Sequence, residues 1–193
     1  KIIAEKRGQV LILMPEIALS NAFIQRFAAR FGVKPALWHS SLTPAQRRLT
    51  WRSIVTGQTK VVVGARSALF LPYADLHMIV VDEEHDPSYK QQEGARYSAR
   101  DLAIWRGREQ GAKVILGSAT PSLESWHASR PATSEDPQGG RYLRLHMPSR
   151  IGAGQLPVLR VVNMNHQPRR TVFSAPLLAA MTERIARGEQ CMV

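Results

Sequence analysis

Cysteine is almost missing from this sequence: its 193 residues hold one, Cys191. A single thiol excludes a disulfide framework and a cysteine zinc site, and it fits a reducing compartment such as the cytoplasm. Long apolar runs are missing as well. None approaches the roughly 20 residues that a helix needs to cross a bilayer, so no membrane partner is expected. The opening residues, Lys1-Ile2-Ile3-Ala4-Glu5-Lys6-Arg7-Gly8, mix acid and base and do not make a signal peptide. They begin without methionine and read as the last turns of a helix, while Glu189 to Val193 read as the opening of a strand. The expectation is a piece excised from a longer protein. A phosphate loop of the form G-x-x-x-x-G-K-S/T does not occur. Acids are absent from Pro137 to Thr182, where Arg141, Arg144, Arg150, Arg160, Arg169 and Arg170 lie.

Positive charge is plentiful. Lys and Arg number 26 against 15 Asp and Glu, a net charge of +11. Such an excess favours a polyanionic partner, most simply nucleic acid, through phosphate contacts and counterion release. The hydrophobic share of 44% is ordinary for a globular chain and sufficient for a substantial core.

The chain is organised around Met78-Ile79-Val80-Val81-Asp82-Glu83-Glu84-His85. The four apolar residues, mostly β-branched, read as a strand buried on both faces. The acids then fall at the strand's carboxyl end, where an open parallel sheet binds ligands. One carboxylate there can hold Mg²⁺, and a second can orient or deprotonate an attacking water. The segment is a candidate acid box of a nucleotide hydrolase. The plainer alternative is a buried strand that ends in a solvated acidic turn.

Strands and helices alternate around it. Strands are predicted at Gln9 to Met14, Ala36 to His39, Lys60 to Val63, Met78 to Val81 and Lys113 to Leu116. Helices are predicted from Asn21 to Phe31, with Phe23, Phe27 and Phe31 on one face for the core, and from Pro44 to about Thr56 behind the capping box Thr43-Pro44-Ala45-Gln46. Others follow Ser98 to about Gln110, run from Ser122 through Trp126, and follow Ser174 to about Arg187. This order predicts an α/β fold with a parallel sheet and right-handed crossovers. Arg130 to Gly140 reads as a loop or linker, and Arg141 to His146 and Leu156 to Val162 as two further β segments. Four loops fall at carboxyl ends of strands: Pro15 to Ser20, Gly64 to Phe70, Asp82 to Tyr97, and Gly117 to Ser122. Ser118 and Thr120 could link His85 to a nucleotide, or form only a turn and a cap. Arg66 and Ser67 could grip a phosphate, or form only a solvated basic turn.

Asp82-Glu83-Glu84-His85 resembles the DEAH-type box of superfamily-two helicases. The longer string from Val80 to Asp101, VVDEEHDPSYKQQEGARYSARD, resembles the PriA-type replication-restart DNA helicases. Met14-Pro15-Glu16-Ile17-Ala18-Leu19, Gly64 to Phe70 (GARSALF) and Leu116 to Glu124 (LGSATPSLE) match the same family in the same order. The resemblance covers nearly the whole chain and weakens after Arg130. It implies a RecA-like parallel sheet flanked by helices, the first helicase motor domain without its phosphate-loop part, followed by the start of a second. The implied divisions are 1–130 for the first motor domain, 131–172 for a basic inter-domain segment and 173–193 for the second motor domain.

The resemblance also implies roles. Asp82 holds the Mg²⁺ of MgATP, and Glu83 positions or activates the water that attacks the γ-phosphate. Glu84 and His85, with Ser118 and Thr120, couple hydrolysis to DNA. Pro15, Glu16 and Leu19, with Gly64, Arg66 and Ser67, touch the single-stranded backbone. The loop holding Tyr89, Lys90, Gln91, Gln92, Arg96 and Tyr97 senses single-stranded DNA, which agrees with its chemistry, since tyrosines stack on bases while Lys and Arg meet phosphates; the plainer alternative is that both tyrosines pack against the sheet. Implied partners are single-stranded and forked DNA and other primosome proteins, in a bacterial cytoplasm at the nucleoid. The implied cofactors are ATP and Mg²⁺. The zinc of the family's paired cysteine motifs is not carried here, and the chain alone is not expected to hydrolyse ATP. The competing expectations are a catalytically silent nucleic-acid-binding module and a motor fragment of another superfamily-two helicase.

Overall fold

The computed structural model describes residues 8–15, 21–135, 137, 139–148 and 158–193. Five strands form one sheet: β1 (Gln9–Leu13), β2 (Ala36–Trp38), β3 (Val61–Gly64), β4 (Leu76–Val81) and β5 (Lys113–Leu116). Their order is β2-β3-β1-β4-β5, and every pair is parallel. The predicted parallel α/β sheet is present, with its strands displaced by a residue or two at their ends.

Four helices connect the strands or follow them: α1 (Asn21–Phe31), α2 (Pro44–Val55), α3 (Ala99–Gln110) and α4 (Leu123–Ala128). The caps explain their limits. Thr43 accepts from the amide of Gln46, whose side chain answers with a bond from the Thr43 amide, and Pro44 occupies the first turn. Ser98 caps α3, and Gly111 ends it in the left-handed conformation that a Cβ disfavours.

The two faces of the sheet are covered differently. Met14, Phe27, Val61 and Val63 pack together beneath α1. Leu11, Leu13, Val62, Ile79 and Val81 face Ile54 of α2 and Ala99 and Ala103 of α3. That is the outcome of right-handed crossovers running in opposite directions from the sheet centre. β1 sends its connection toward β2, and β4 sends its own toward β5 on the other side. The adjacent strands β1 and β4 therefore flank a switch point, whose carboxyl edge is a ligand crevice in open α/β sheets. β4 differs from its prediction in one respect. Only Ile79 and Val81 are deeply buried among its last four residues; Met78 and Val80 are half-buried and line a cavity of about 520 Å³ with Phe23 and Phe27.

The chain divides into two compact units, the first ending at Arg144 and the second running from Leu145 to Val193. The first keeps its tail on α4: the Tyr142 amide donates to the Ala128 carbonyl, and the Arg144 guanidinium lies 4.0 Å over the Trp126 ring. In the second, α5 (Ala175–Ala186) starts at Ser174, whose hydroxyl accepts from the Leu177 amide. The β segments predicted at Arg141 to His146 and within Leu156 to Val162 form no ladder among the described residues, nor does Glu189 to Val193. Alternating apolar residues make a strand only when a neighbouring strand takes their backbone bonds, and among the described residues no strand pairs with them. The predicted helix end at 1–7 lies outside the described residues.

Candidate ATP site and nucleic-acid interface

The acid box is held in place by backbone bonds to both neighbouring strands. The Asp82 amide donates to the Leu13 carbonyl at 2.9 Å, and the Glu84 amide to the Gly117 carbonyl at 3.0 Å. Between them Glu83 takes a φ of 49°, a left-handed backbone uncommon for a residue with a side chain. The turn separates the three carboxylates.

Asp82 is half-buried at the end of β4, and its carboxylate accepts no hydrogen bond among the described residues. Gly117 lies beside it, and a Cβ there would come within 3.4 Å of Asp82 Oδ1. An unshared carboxylate beside a residue without a side chain, at a switch point, fits a hard cation such as Mg²⁺. Glu83 is exposed, with Oε2 3.6 Å from His85 Nδ1.

Glu84 turns the other way. It is 3% exposed. One carboxylate oxygen accepts from the Ser122 amide at 2.7 Å; the other accepts from the Ser122 and Ser125 hydroxyls, both at 3.0 Å, and from Arg100 Nη1 at 3.3 Å. Burial alone would lower the Arg100 pKa, yet the bonds and charges of Asp101 and Glu84 outweigh it and hold the guanidinium above its ordinary value. Glu84 fastens the acid box to the first turn of α4 and to α3. Expected as a coupling residue, it is placed as an anchor.

His85 joins the two loops that the sequence set 33 residues apart. Its Nδ1 lies 2.7 Å from Ser118 Oγ and its Nε2 3.3 Å from Thr120 Oγ1, while the Thr120 amide donates to Ser118 Oγ at 2.9 Å. The acids after β4 and the hydroxyls after β5 are one connected cluster.

The loop after the box corrects one expectation. Tyr89 is 1% exposed and sits in the core. Its hydroxyl donates to the Asp82 carbonyl at 2.6 Å, and burial, reinforced by the carboxylates of Asp82, Asp86 and Glu83, pushes its ionisation upward. Tyr89 offers no face to a base, because its ring fills space beneath the acid turn. Asp86 starts the short 3-10 turn Pro87–Tyr89 by accepting from the Ser88 amide, and that bonding with Ser88 holds its carboxyl below the usual range. Beyond it, Lys90, Gln92 and Arg96 are exposed, and Gln91 and Tyr97 half-exposed. The Gln91 amide donates to the Tyr97 carbonyl at 2.8 Å, and a bridge pairs Lys90 with Ser98, so the loop closes on itself.

The expected backbone-contacting residues divide. Arg66 Nη1 donates to the Lys90 carbonyl at 3.1 Å, tying the turn after β3 to the loop after β4, and Ser67 is exposed. Gly64 and Pro15 are buried, which corrects their assignment as contacts. Gly64 is needed for packing: a Cβ there would lie 2.5 Å from the Trp38 carbonyl and 2.7 Å from Ala68 Cβ. Neither atom ends a flexible side chain, so Gly64→Ala is expected to destabilise the fold by about 1–3 kcal/mol, read as a lowered urea midpoint. An unchanged midpoint would show that the β2–β3 edge yields. Glu16 and Leu19 lie outside the described residues.

Sequence reasoning missed Arg100, Ser122 and Ser125. A weak signal existed for the first: an arginine in the first turn of a helix is disfavoured by the helix dipole, and a nearby acid offsets that. No group of metal-binding side chains is clustered among the described residues.

Residues 1–128 match the family described as DEAD/DEAH box helicase. Replication restart protein PriA of Rickettsia felis is 40% identical over 190 residues, which is 97% of this chain and 28% of that protein. The protein of the same name from Bacillus subtilis is 39% identical over 196 residues, covering all of this chain and 23% of its own length. That from Synechocystis is 43% identical over 189 residues, covering 95% and 22%. The chain thus spans about a quarter of the length of these curated relatives.

Proposed function

Because the chain belongs to the DEAD/DEAH box helicase family, we propose that it is part of the motor of an ATP-dependent DNA helicase that acts in replication restart. One observation carries the proposal. His85 stands within hydrogen-bond distance of both Ser118 and Thr120, so the acid box and the turn after β5 are joined through one side chain. Coupling between a nucleotide site and a nucleic-acid track requires such a link.

In this reading Asp82 holds the Mg²⁺ of MgATP, its carboxylate lying at the switch point and accepting no hydrogen bond among the described residues. The ion, when bound, neutralises charge on the phosphates. Glu83 accepts a hydrogen bond from the attacking water and takes up its proton. His85, 3.6 Å from Glu83 and 2.7 Å from Ser118, passes changes at Glu83 to the turn at 117–122. Lys90, Gln91, Gln92, Arg96 and Tyr97, with Arg66 and Ser67, meet single-stranded DNA. Glu84 keeps the box attached to α4. Residues 1–130 form the first motor domain, 131–172 a basic connection and 173–193 the start of a second. The working environment is a bacterial cytoplasm, with other primosome proteins as partners.

The test is ATP-dependent unwinding of a forked DNA duplex by the full-length protein. Strand separation that requires ATP is expected, and single-stranded DNA should activate ATP hydrolysis more than RNA does. Failure to separate strands with ATP, or a preference for RNA, would reject the proposal.

A second reading is favoured by the +11 charge and by the missing phosphate loop. The 193 residues alone bind single-stranded nucleic acid without hydrolysing ATP. Binding that weakens linearly in log affinity against log salt is expected. No binding at low salt removes this reading.

A further inference from the structure

Phe70 ends the 3-10 turn Arg66–Phe70 and is 59% exposed. A phenylalanine that exposed forgoes much of the stabilisation that burial brings an apolar side chain, so its surroundings matter. Its ring centroid lies 5.2 Å from that of Tyr97, with the planes at 85°. The edge-to-face contact fixes Phe70 against the loop after β4 while leaving most of the ring in solvent. Two other contacts complete the arrangement. Arg66, at the start of the same turn, donates to the Lys90 carbonyl, and the Tyr97 carbonyl accepts from the Gln91 amide. The turn is tied to the loop at both of its ends, with an aromatic face in the shared surface.

The charged side chains of this turn and loop are mostly positive. Arg66 belongs to the turn, and Lys90 and Arg96 to the loop, both exposed; Glu93 is the one acid between Tyr89 and Ser98. Cations that meet phosphates, beside an exposed ring that a base can cover, are the composition of a single-strand stacking site. The ring bound to Phe70 is not free to do the same work at full value, and Tyr89 is buried. We propose that Phe70 is the base-stacking residue of this interface and that Tyr97 braces it, the ligand being an unpaired nucleobase of a single strand. The inference rests on the nucleic-acid reading above and adds to it a residue outside the expected DNA-sensing loop.

The experiment compares Phe70→Ala and Phe70→Trp with the wild-type full-length protein. It measures affinity for a labelled oligothymidylate and for an abasic strand of equal length, each across a salt series. Stacking contributes about 1–3 kcal/mol per base, so Phe70→Ala is expected to weaken oligothymidylate binding at least about fivefold. Phe70→Trp should bind as wild type does. On the abasic strand all three should bind alike, and the salt slopes should coincide because no charge has changed. An oligouridylate arm identifies the strand, with the same Phe70 dependence expected on whichever polymer binds more tightly. Wild-type affinity in Phe70→Ala overturns the inference, and so does an equal loss on the abasic strand. Both outcomes leave the helicase reading standing. If the wild-type protein binds neither strand at low salt, the nucleic-acid reading itself fails and takes this inference with it.

Discussion

Glu83→Gln in the full-length protein is expected to lower single-stranded-DNA-stimulated ATP hydrolysis by at least about 100-fold. The amide matches the carboxylate in size and still orients a water, but it cannot take up the water's proton. Proton transfer by a positioned side chain contributes roughly 10²–10⁴-fold, so the lower end of that range corresponds to about 2.7 kcal/mol of barrier. The left-handed backbone at Glu83 is kept, because glutamine tolerates a φ of 49° no worse than glutamate. MgATP affinity should change little, since Asp82 rather than Glu83 faces the metal in this account. Steady-state phosphate release with nucleotide binding measured separately reads both quantities. Normal stimulated turnover in Glu83→Gln would remove Glu83 from the water-activating role and leave its unusual backbone unexplained.

The second large effect is on stability. Glu84→Ala is expected to destabilise the first unit by about 3–5 kcal/mol, the cost of breaking a buried ion pair by removing one partner. Arg100, whose side chain is 12% exposed, would lose its buried partner and keep only the exposed carboxylates of Asp101 and Glu124. The Ser122 amide would lose the acceptor it uses in the first turn of α4, and the Ser125 hydroxyl would lose its own. Glu84→Gln should fall between alanine and wild type, since one oxygen remains to accept while the new amide group faces other donors. Urea unfolding measures both. A loss below about 1 kcal/mol for Glu84→Ala would put Glu84 among solvated surface pairs and contradict its burial. The two neighbouring acids thus make opposite predictions. Glu83 affects turnover with little effect on folding, and Glu84 affects folding first.

Much of this arrangement was legible in the residues. Local chemistry marks the helix limits: the Thr43 capping box, Ser98 before α3 and Gly111 after it. Apolar runs mark the strands, and regular alternation with helices is enough to predict a parallel sheet with its acids at the carboxyl edge. What stayed hidden depends on partners distant in sequence. Tyr89 lies in a polar loop, and nothing local says that its ring enters the core and its hydroxyl reaches Asp82. Glu84 reads like its neighbours until Ser122, Ser125 and Arg100 are brought to it. Gly64 reads as a strand-end residue that touches the single-stranded backbone, whereas its lack of a Cβ serves the close approach of Trp38 and Ala68. The apolar alternation after Arg141 gave the opposite error, because a strand pattern joins no ladder without a neighbouring strand, and none pairs with it among the described residues.

The measurement that bears most directly on the central claim is the rate of ATP hydrolysis by the full-length wild-type protein with Mg²⁺, compared with and without single-stranded DNA. If the acids after β4 and the loops at the same sheet edge form one coupled machine, the strand should raise the rate severalfold or more. Hydrolysis that proceeds at the same rate with and without the strand would contradict the account, because the His85 linkage would then carry nothing between the two sites.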